Sequence, residues 1–422
     1  MNKKWLSGNS LPVFVLLSGL WGAALHSATV FAAEGVTDSE IKIGTILSVE
    51  GRSRALGQKM LKGMEVAFDE TKIDGKKLTL ISRDDANNPA RTVAATKELI
   101  KEDVLVLLGN VGKPNSREAL SLLAENKIPS LIFLSGTDLI ESDKENLQIA
   151  NFRASYKLET SAVINNAIAS GVKPAEVCAY VQNDTHGMSG VLGMRKAFQD
   201  NQEAKAILPA LDAVLIKDTP NKPLKNNAGP VGTYTRDTFR AREGYDSLKN
   251  WEKQSGTACK LVITVGSYDS IAYFIAYAVS KGENWVYSAV SSTGADDLLN
   301  TLKRFEVTDR VLMTQVLPAL NSNLSIVAEA REALGDDFGY VTMNGYISAR
   351  LLTHGLEQLV FKKRPITREN LIKEFQNTSF QLWGLHLDFK KDGEKFDFIT
   401  TNSIVNGEWA LADESTWNRW YQ

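Results

Sequence analysis

The side chains with most chemistry to offer stand in short polar loops that follow apolar runs. Val104-Leu105-Val106-Leu107-Leu108 ends at Gly109-Asn110-Val111-Gly112-Lys113-Pro114, and Leu131-Ile132-Phe133-Leu134 stops at Ser135-Gly136-Thr137. Val177 to Gln182 leads into Asn183-Asp184-Thr185-His186-Gly187, Leu261 to Gly266 into Ser267-Tyr268-Asp269-Ser270, and Trp285 to Val290 into Ser291-Ser292-Thr293-Gly294. Hydroxyls, one lysine and reachable backbone N–H groups at strand ends can hold a small polar or anionic solute. The pieces are wrong for other chemistry. Around Gly109 and Gly112 two residues intervene where a nucleotide-phosphate loop has four, and Pro114 replaces its Ser or Thr. Gly-x-Ser-x-Gly is absent, and neither the four histidines nor the two cysteines fall at metal spacing. No enzymatic activity and no cofactor are expected.

Each candidate also has a plainer reading. Lys113, at a helix start, is either a cleft cation or a solvated charge, since the macrodipole disfavours cations there unless an anion is present. Ser135 and Thr137 are better placed, because strand-end hydroxyls beside Gly136 leave backbone donors accessible. Tyr268 stacks on a ligand or packs between lobes. His186 contacts a ligand or is a partly exposed loop residue. Arg52 and Arg54 steer an anion or stay solvated. The acids Asp84 and Asp85 read as turn and cap residues rather than metal ligands.

These loops need strands and helices in alternation to position them. Unalternated apolar runs such as Val104–Leu108 predict strands buried on both faces, hence a parallel sheet. The first series runs from the strand Ile41–Leu47 through a helix with Met60, Leu61, Met64, Ala67 and Phe68 on one face, the strand Leu78–Ser82 and a helix at Val93–Ile100. A second series follows Tyr156: helix Ser161–Ser170, strand Val177–Gln182, helix Gly190–Asp200, a strand within Ala206–Ile216, a surface loop Lys217–Gly232, helix Asp237–Ser255, strand Leu261–Gly266, helix Ile271–Ser280 and strand Trp285–Val290. From Val311 the pattern suggests a return to the first lobe, with helices at Ser325–Leu334, Asn344–Phe361 and Arg368–Asn377, then a hairpin around Lys391-Asp392-Gly393-Glu394. The expected fold is α/β with two tandem strand–helix units.

Composition narrows the setting. Met1 to Ala33 reads as a signal peptide: Lys3 and Lys4 precede the apolar run Leu11–Leu25, and Val30 and Ala32 stand at cleavage-site spacing, so cleavage is expected near Ala32 or Ala33. Losing those two lysines and no acid takes the net charge from −2 to −4, which gives no global attraction to nucleic acid or anionic membrane. The remaining length, roughly 390 residues, predicts at least two cores. Cys178 and Cys259 fit either a disulfide or two buried thiols.

Taken in order and spacing, several of these pieces resemble one known family. They are Ile41-Lys42-Ile43-Gly44, Leu56-Gly57 with Lys62-Gly63-Met64-Glu65-Val66-Ala67-Phe68, Asp84-Asp85, Gly109-Asn110-Val111-Gly112, Lys127-Ile128-Pro129, Asp184-Thr185-His186-Gly187, Val265-Gly266-Ser267-Tyr268, Thr314-Gln315-Val316 and Gly339-Tyr340-Val341-Thr342-Met343-Asn344-Gly345-Tyr346. From about Glu40 to Trp409 the chain resembles the substrate-binding proteins of ABC importers in the Leu/Ile/Val-binding group. The resemblance implies the type I periplasmic binding protein fold, two Rossmann-like lobes with parallel-core sheets joined by three hinge crossovers near Arg153, Val316 and Leu382. Lobe I would comprise 34–154 and 317–381, and lobe II 155–316 and 382–422. A periplasmic protein, expected as a monomer, would capture an amino acid, amide or organic acid between its lobes and deliver it to an ABC permease in the inner membrane. The alternative is a ligand sensor presenting its closed form to a membrane receptor or kinase.

Carried over by position, the resemblance implies a ligand set of Lys113, Ser135, Gly136, Thr137, His186, Tyr268, Ser291 and Ser292. Lys113 replaces a Ser or Thr of amino-acid binders. Ser135, Gly136 and Thr137 complete the carboxylate clamp, while His186 and Tyr268 match aromatic positions lining the cleft. Where amino-acid binders place an acid, Ser291-Ser292-Thr293 offers only hydroxyls, which points to an anion lacking an amine.

Overall fold

The structure, a computed structural model, describes residues 34–131, 134, 149–151, 153–215, 227–376, 378–389 and 398–421. The leader, Ser135-Gly136-Thr137 and the expected hairpin turn Lys391–Glu394 lie outside the described residues.

The first half alternates strand and helix: β1 (Glu40–Leu47), α1 (Arg54–Phe68), β2 (Lys72–Ile73), β3 (Lys76–Asp84), α2 (Pro89–Lys101), β4 (Val106–Leu108), α3 (Lys113–Glu125), β5 (Ser130–Leu131) and β6 (Ile149–Ala150). Its six strands form one sheet in the order β2-β3-β1-β4-β5-β6. All neighbours are parallel except the short β2, which pairs antiparallel with β3. The chain then continues through α4 (Tyr156–Ala169), β7 (Val177–Gln182), α5 (Thr185–Phe198), α6 (Leu208–Leu215), β8 (Val231–Tyr234), α7 (Ala241–Ser255), β9 (Leu261–Val265), α8 (Tyr268–Ser280), β10 (Val286–Ala289), α9 (Ala295–Arg304) and β11 (Val311–Gln315). Three long-to-middling helices follow, α10 (Ser325–Leu334), α11 (Tyr340–Phe361) and α12 (Arg368–Phe375). After them come β12 (Ser379–Leu382), β13 (Leu385–Asp388), β14 (Thr400–Val405), β15 (Glu408–Leu411) and α13 (Glu414–Tyr421). The second sheet has the order β15-β14-β11-β10-β9-β7-β8, parallel from β11 to β8 and antiparallel at β14 and β15.

Burial on both faces explains the unalternated sequences. Along β7, Cys178 and Tyr180 enter one apolar cluster while Val177, Ala179 and Val181 enter another, so alternate side chains serve opposite faces of one sheet. The same division separates Val262 from Leu261, Ile263 and Val265 on β9. Helix α11 returns to the first sheet's side and packs on α1. Glycines set that approach: a Cβ on Gly63 would lie 2.0 Å from the Thr342 carbonyl oxygen, and one on Gly345 2.2 Å from that of Met60. The open disulfide question is resolved, since Cys178 and Cys259 are joined, with 5.8 Å between their Cα atoms.

Three expectations need correction. Ala206–Ile216 is not a strand but contains α6: Pro209 suits a helix's first turn, and the buried Leu211 and Val214 recur at helical spacing. The strand in question is β8, whose first two residues fell at the end of the expected surface loop. Gly232 sits in β8 because α7 crosses it closely; a Cβ there would be 2.2 Å from the Gly244 carbonyl oxygen. The chain does not leave the second sheet at Val311, because β11 pairs with β10 and β14 there. Ahead of the expected hairpin, whose turn lies outside the described residues, β13 pairs with β12 around Trp383-Gly384, where Trp383 has φ 52° and Gly384 φ 84°.

Candidate functional site

On the first sheet's side, the ends of β1, β3 and β4 are tied by side chains. Asn110 Oδ1 accepts the Ile46 N–H at 3.1 Å. Asp84 Oδ1 accepts the N–H groups of Val49, Glu50 and Ala86, and Asp85 accepts from the Asn87 N–H, Thr92 Oγ1 and Asn115 Nδ2. These two acids do turn and helix-start work. Burial pushes the Asp85 carboxyl up, against the hydrogen bonds from Asn115 and Thr92 that favour its charge. Gly112, at φ 92°, turns the chain into α3 so that Lys113 begins the helix.

The second sheet offers the start of α5, where Asp184 Oδ1 caps the N–H groups of His186 and Gly187 at 2.9 and 3.3 Å. Lys113 Nζ reaches across to donate to Ser189 Oγ at 2.7 Å, one turn beyond His186. His186 Nε2 lies 3.3 Å from Ser292 Oγ, and its ring centroid is 5.0 Å from that of Tyr156. His186, Ser291 and Ser292 therefore share one place, with Lys113 approaching α5 from the other layer. Tyr268 is elsewhere: its hydroxyl donates to the Arg52 carbonyl at 3.0 Å, at the outer edge between α1 and α8.

Behind Ser291 is a buried charged network that sequence reasoning missed. Ser291 donates from its N–H and Oγ to the Glu159 carboxylate at 2.8 and 2.9 Å and accepts from Arg153 Nη2 at 2.8 Å. Thr314 Oγ1 also donates to Glu159, and Arg153 Nη1 donates to Asn344 Oδ1 at 3.0 Å. Glu159 is wholly buried and Arg153 2% exposed. Burial pushes the Glu159 carboxyl up and the Arg153 guanidinium down, while their mutual attraction opposes both. An acid thus stands beside the Ser291-Ser292 turn after all, supplied by α4. Ser291 is held in the protein's own network, whereas Ser292 faces His186.

Arg236 was missed for a different reason, since it follows β8, the strand that the glycine disguised. Its Nε and Nη2 donate to Asp184 Oδ2 at 3.1 and 2.6 Å, and its Nη1 donates to the Asn87 carbonyl and to Asn115 Oδ1, both at 3.0 Å. One guanidinium joins elements of both sheets. Burial alone would raise the Asp184 carboxyl, but Arg236, His186 and the hydrogen bonds from Arg236 and Gln182 hold it below the usual carboxylate range. Lys59 of α1 likewise pairs with Asp297 of α9 at 2.7 Å. Among the described residues no group of three or more His, Cys, Asp or Glu side chains could hold a metal ion. No helix among them is long and apolar enough to cross a membrane.

The family model described as periplasmic binding protein matches residues 40–204. A possible leucine/isoleucine/valine-binding protein from Rhodopirellula baltica SH 1 is 26% identical with a TM-score of 0.76, over 92% of this chain and 99% of that one. A branched-chain amino acid transporter substrate binding protein from Streptococcus pneumoniae, solved with isoleucine, is 14% identical with a TM-score of 0.65, over 88% of this chain and 99% of that one. A solute binding protein of an ABC transporter from R. palustris, solved with 4-hydroxybenzoate, is 17% identical with a TM-score of 0.66, over 89% and 96%. The last two show the fold alone. No curated protein matches. The family model and these neighbours agree with the resemblance to Leu/Ile/Val-binding and related ABC substrate-binding proteins, and the two parallel-dominated sheets are those of the type I periplasmic binding protein fold.

Proposed function

We propose that this is an exported solute-binding protein that captures a small polar or anionic solute between two lobes and hands it to an ABC importer without altering it. The lobes would comprise 34–154 with 317–381 and 155–316 with 382–422, after a leader cleaved near Ala32 or Ala33. The observation that carries this reading is the meeting of strand-end groups from the two sheets, Lys113 against Ser189 and Arg236 against Asn87 and Asn115. A cleft lined from both sides can couple solute capture to closure. Within it, Lys113, His186 and Ser292 are assigned to the solute, with Ser135, Gly136 and Thr137 completing the site, while Tyr268 stands at the outer edge. Ser291 takes a supporting part, held by Arg153 and Glu159. Relatives solved with isoleucine and with 4-hydroxybenzoate support a carboxylate-bearing solute.

A thermal-shift screen over amino acids, amides, aromatic acids and dicarboxylates finds the solute, because a ligand held by the native form raises the melting temperature. Small-angle scattering with that solute then tests the mechanism. The expected result is a smaller radius of gyration on binding; an unchanged radius, or chemical turnover of the solute, overturns the proposal.

A further inference from the structure

At the outer edge of the interface, away from His186 and Ser292, is a cavity of about 550 Å³ walled by both layers. Arg52 comes from the loop before α1, Arg54 from its first turn, Tyr268 from the start of α8 and Arg304 from the end of α9. Phe239, Tyr273 and Phe305 line it while remaining 42%, 40% and 43% exposed, an unusual grouping of large apolar side chains at a surface. Their rings already keep aromatic packing geometry: Phe239 to Tyr273 is 5.4 Å between centroids, and Tyr273 to Phe305 is 6.3 Å and nearly perpendicular. The Arg52 guanidinium lies 4.5 Å above the Phe239 ring.

The charges point the same way. Among the described residues, Arg54 donates to the Gly51 carbonyl and Arg304 to Thr301 Oγ1, and none of the three arginines is ion-paired with a carboxylate. Asp269 also lines the cavity, but its Oδ1 accepts from Ser267 Oγ and the Ser270 N–H at the start of α8. Three guanidiniums against one acid favour an anion, and a guanidinium's planar fork matches a carboxylate. A bare inorganic anion would leave the three exposed rings without a partner, and a hydrocarbon would leave the arginines without one. The volume suits a small organic molecule.

We propose that this cavity is a second ligand site, separate from the His186–Ser292 cluster, and that it takes a small aryl carboxylate. Its ring packs among Phe239, Tyr273 and Phe305, and its carboxylate is held by Arg54 and Arg304. Because its walls belong to both layers, occupation favours the arrangement in which they are adjacent, and by linkage it tightens any solute that needs the same arrangement.

Calorimetric titration of the mature protein with benzoate, and with benzamide as the uncharged isostere, tests this. Benzoate is expected to bind one to one, and benzamide at least about tenfold more weakly. Arg304→Gln and Phe239→Ala are each expected to weaken benzoate by about tenfold; both side chains are exposed, and an unchanged melting temperature confirms folding. The proposal is overturned if benzoate gives no binding heat up to about 10 mM. It is also overturned if His186→Ala abolishes benzoate binding while Arg304→Gln and Phe239→Ala bind it as the parent does, which would put the aryl acid in the cleft. Neither failure touches the importer reading, which rests on compaction with the cleft solute.

Discussion

Two sets of polar contacts join the parts of this molecule, and their surroundings differ more than their geometry. The inner set, Arg153, Ser291, Glu159, Thr314 and Asn344, is almost wholly excluded from water. The outer set, Arg236 with Asp184, Asn87 and the buried Asn115, Lys59 with Asp297, and Tyr268 with the Arg52 carbonyl, is otherwise partly solvated. A buried charge cannot fall back on water, so the inner contacts must be complete whenever the protein is folded. The outer groups can exchange partners for water at small cost, as the proposed closure would require of contacts that form and break. Under the proposed closure, the inner set would therefore serve as a fixed pivot and the outer set as a releasable seam.

The largest effect should come from breaking the pivot. Glu159→Gln removes the counter-charge of a buried guanidinium that does not deprotonate, and about 3–5 kcal/mol of stability should be lost in denaturant unfolding. Pairing it with Arg153→Met should recover part of that loss. A double variant no better than Glu159→Gln alone would show that the two residues do not act as a pair. Next comes the disulfide, which closes a separation of 81 residues inside the second sheet. Replacing Cys178 and Cys259 together by Ala should cost about 2–4 kcal/mol, and reductant should lower the melting temperature of the parent but not of the variant.

The seam should lose stability in acid. Asp184 has a depressed pKa, so its contribution is fully present above its unfolded value, near 4, and is lost as pH falls through the lower folded value. Arg236→Ala removes the main partner, so the variant should be less stable than the parent at pH 7 by about 1–2 kcal/mol. The gap should narrow as pH drops below about 4. A gap that stays constant into strong acid would detach Arg236 from Asp184. Solute binding gives a further comparison: Lys113→Ala should weaken the cleft solute by about tenfold while leaving the empty protein's melting temperature nearly unchanged.

Legibility in the sequence followed the same division. Strands buried on both faces, such as Val177–Gln182 and Leu261–Val265, announce themselves as continuous apolar runs, and the loops that follow them were placed correctly at strand ends. The pivot left no such trace. Arg153 and Glu159 come together only because α4 folds back on the turn after β10, and nothing local marks a charge that will be buried by contacts from Ser291 and Thr314. Arg236 was hidden by its strand, since Gly232 weakens the β signal for the sake of close packing with α7, while the apolar run at Leu208–Leu215 imitated a strand. Tyr268 was legible as an aromatic at a strand end, but its pairing with Arg52 across the interface was not.

The smallest expected effect is the sharpest test of the seam. Lys59 and Asp297 keep 31% and 15% of their side-chain surface exposed, and their contact spans α1 and α9. Lys59→Met removes the ion pair while keeping most of the aliphatic stem. At partial exposure such a pair is worth about 0–1 kcal/mol and is screened by salt, so unfolding should shift by no more than that, and less at high ionic strength. The same change should show more clearly in closure than in stability, because the pair forms only when α1 and α9 are adjacent. The cleft solute's affinity should fall by up to about fivefold, the equivalent of 1 kcal/mol, with the loss shrinking in high salt. A variant that loses several kcal/mol of stability instead would mean that the contact belongs to the pivot, and the distinction between the two sets would fail.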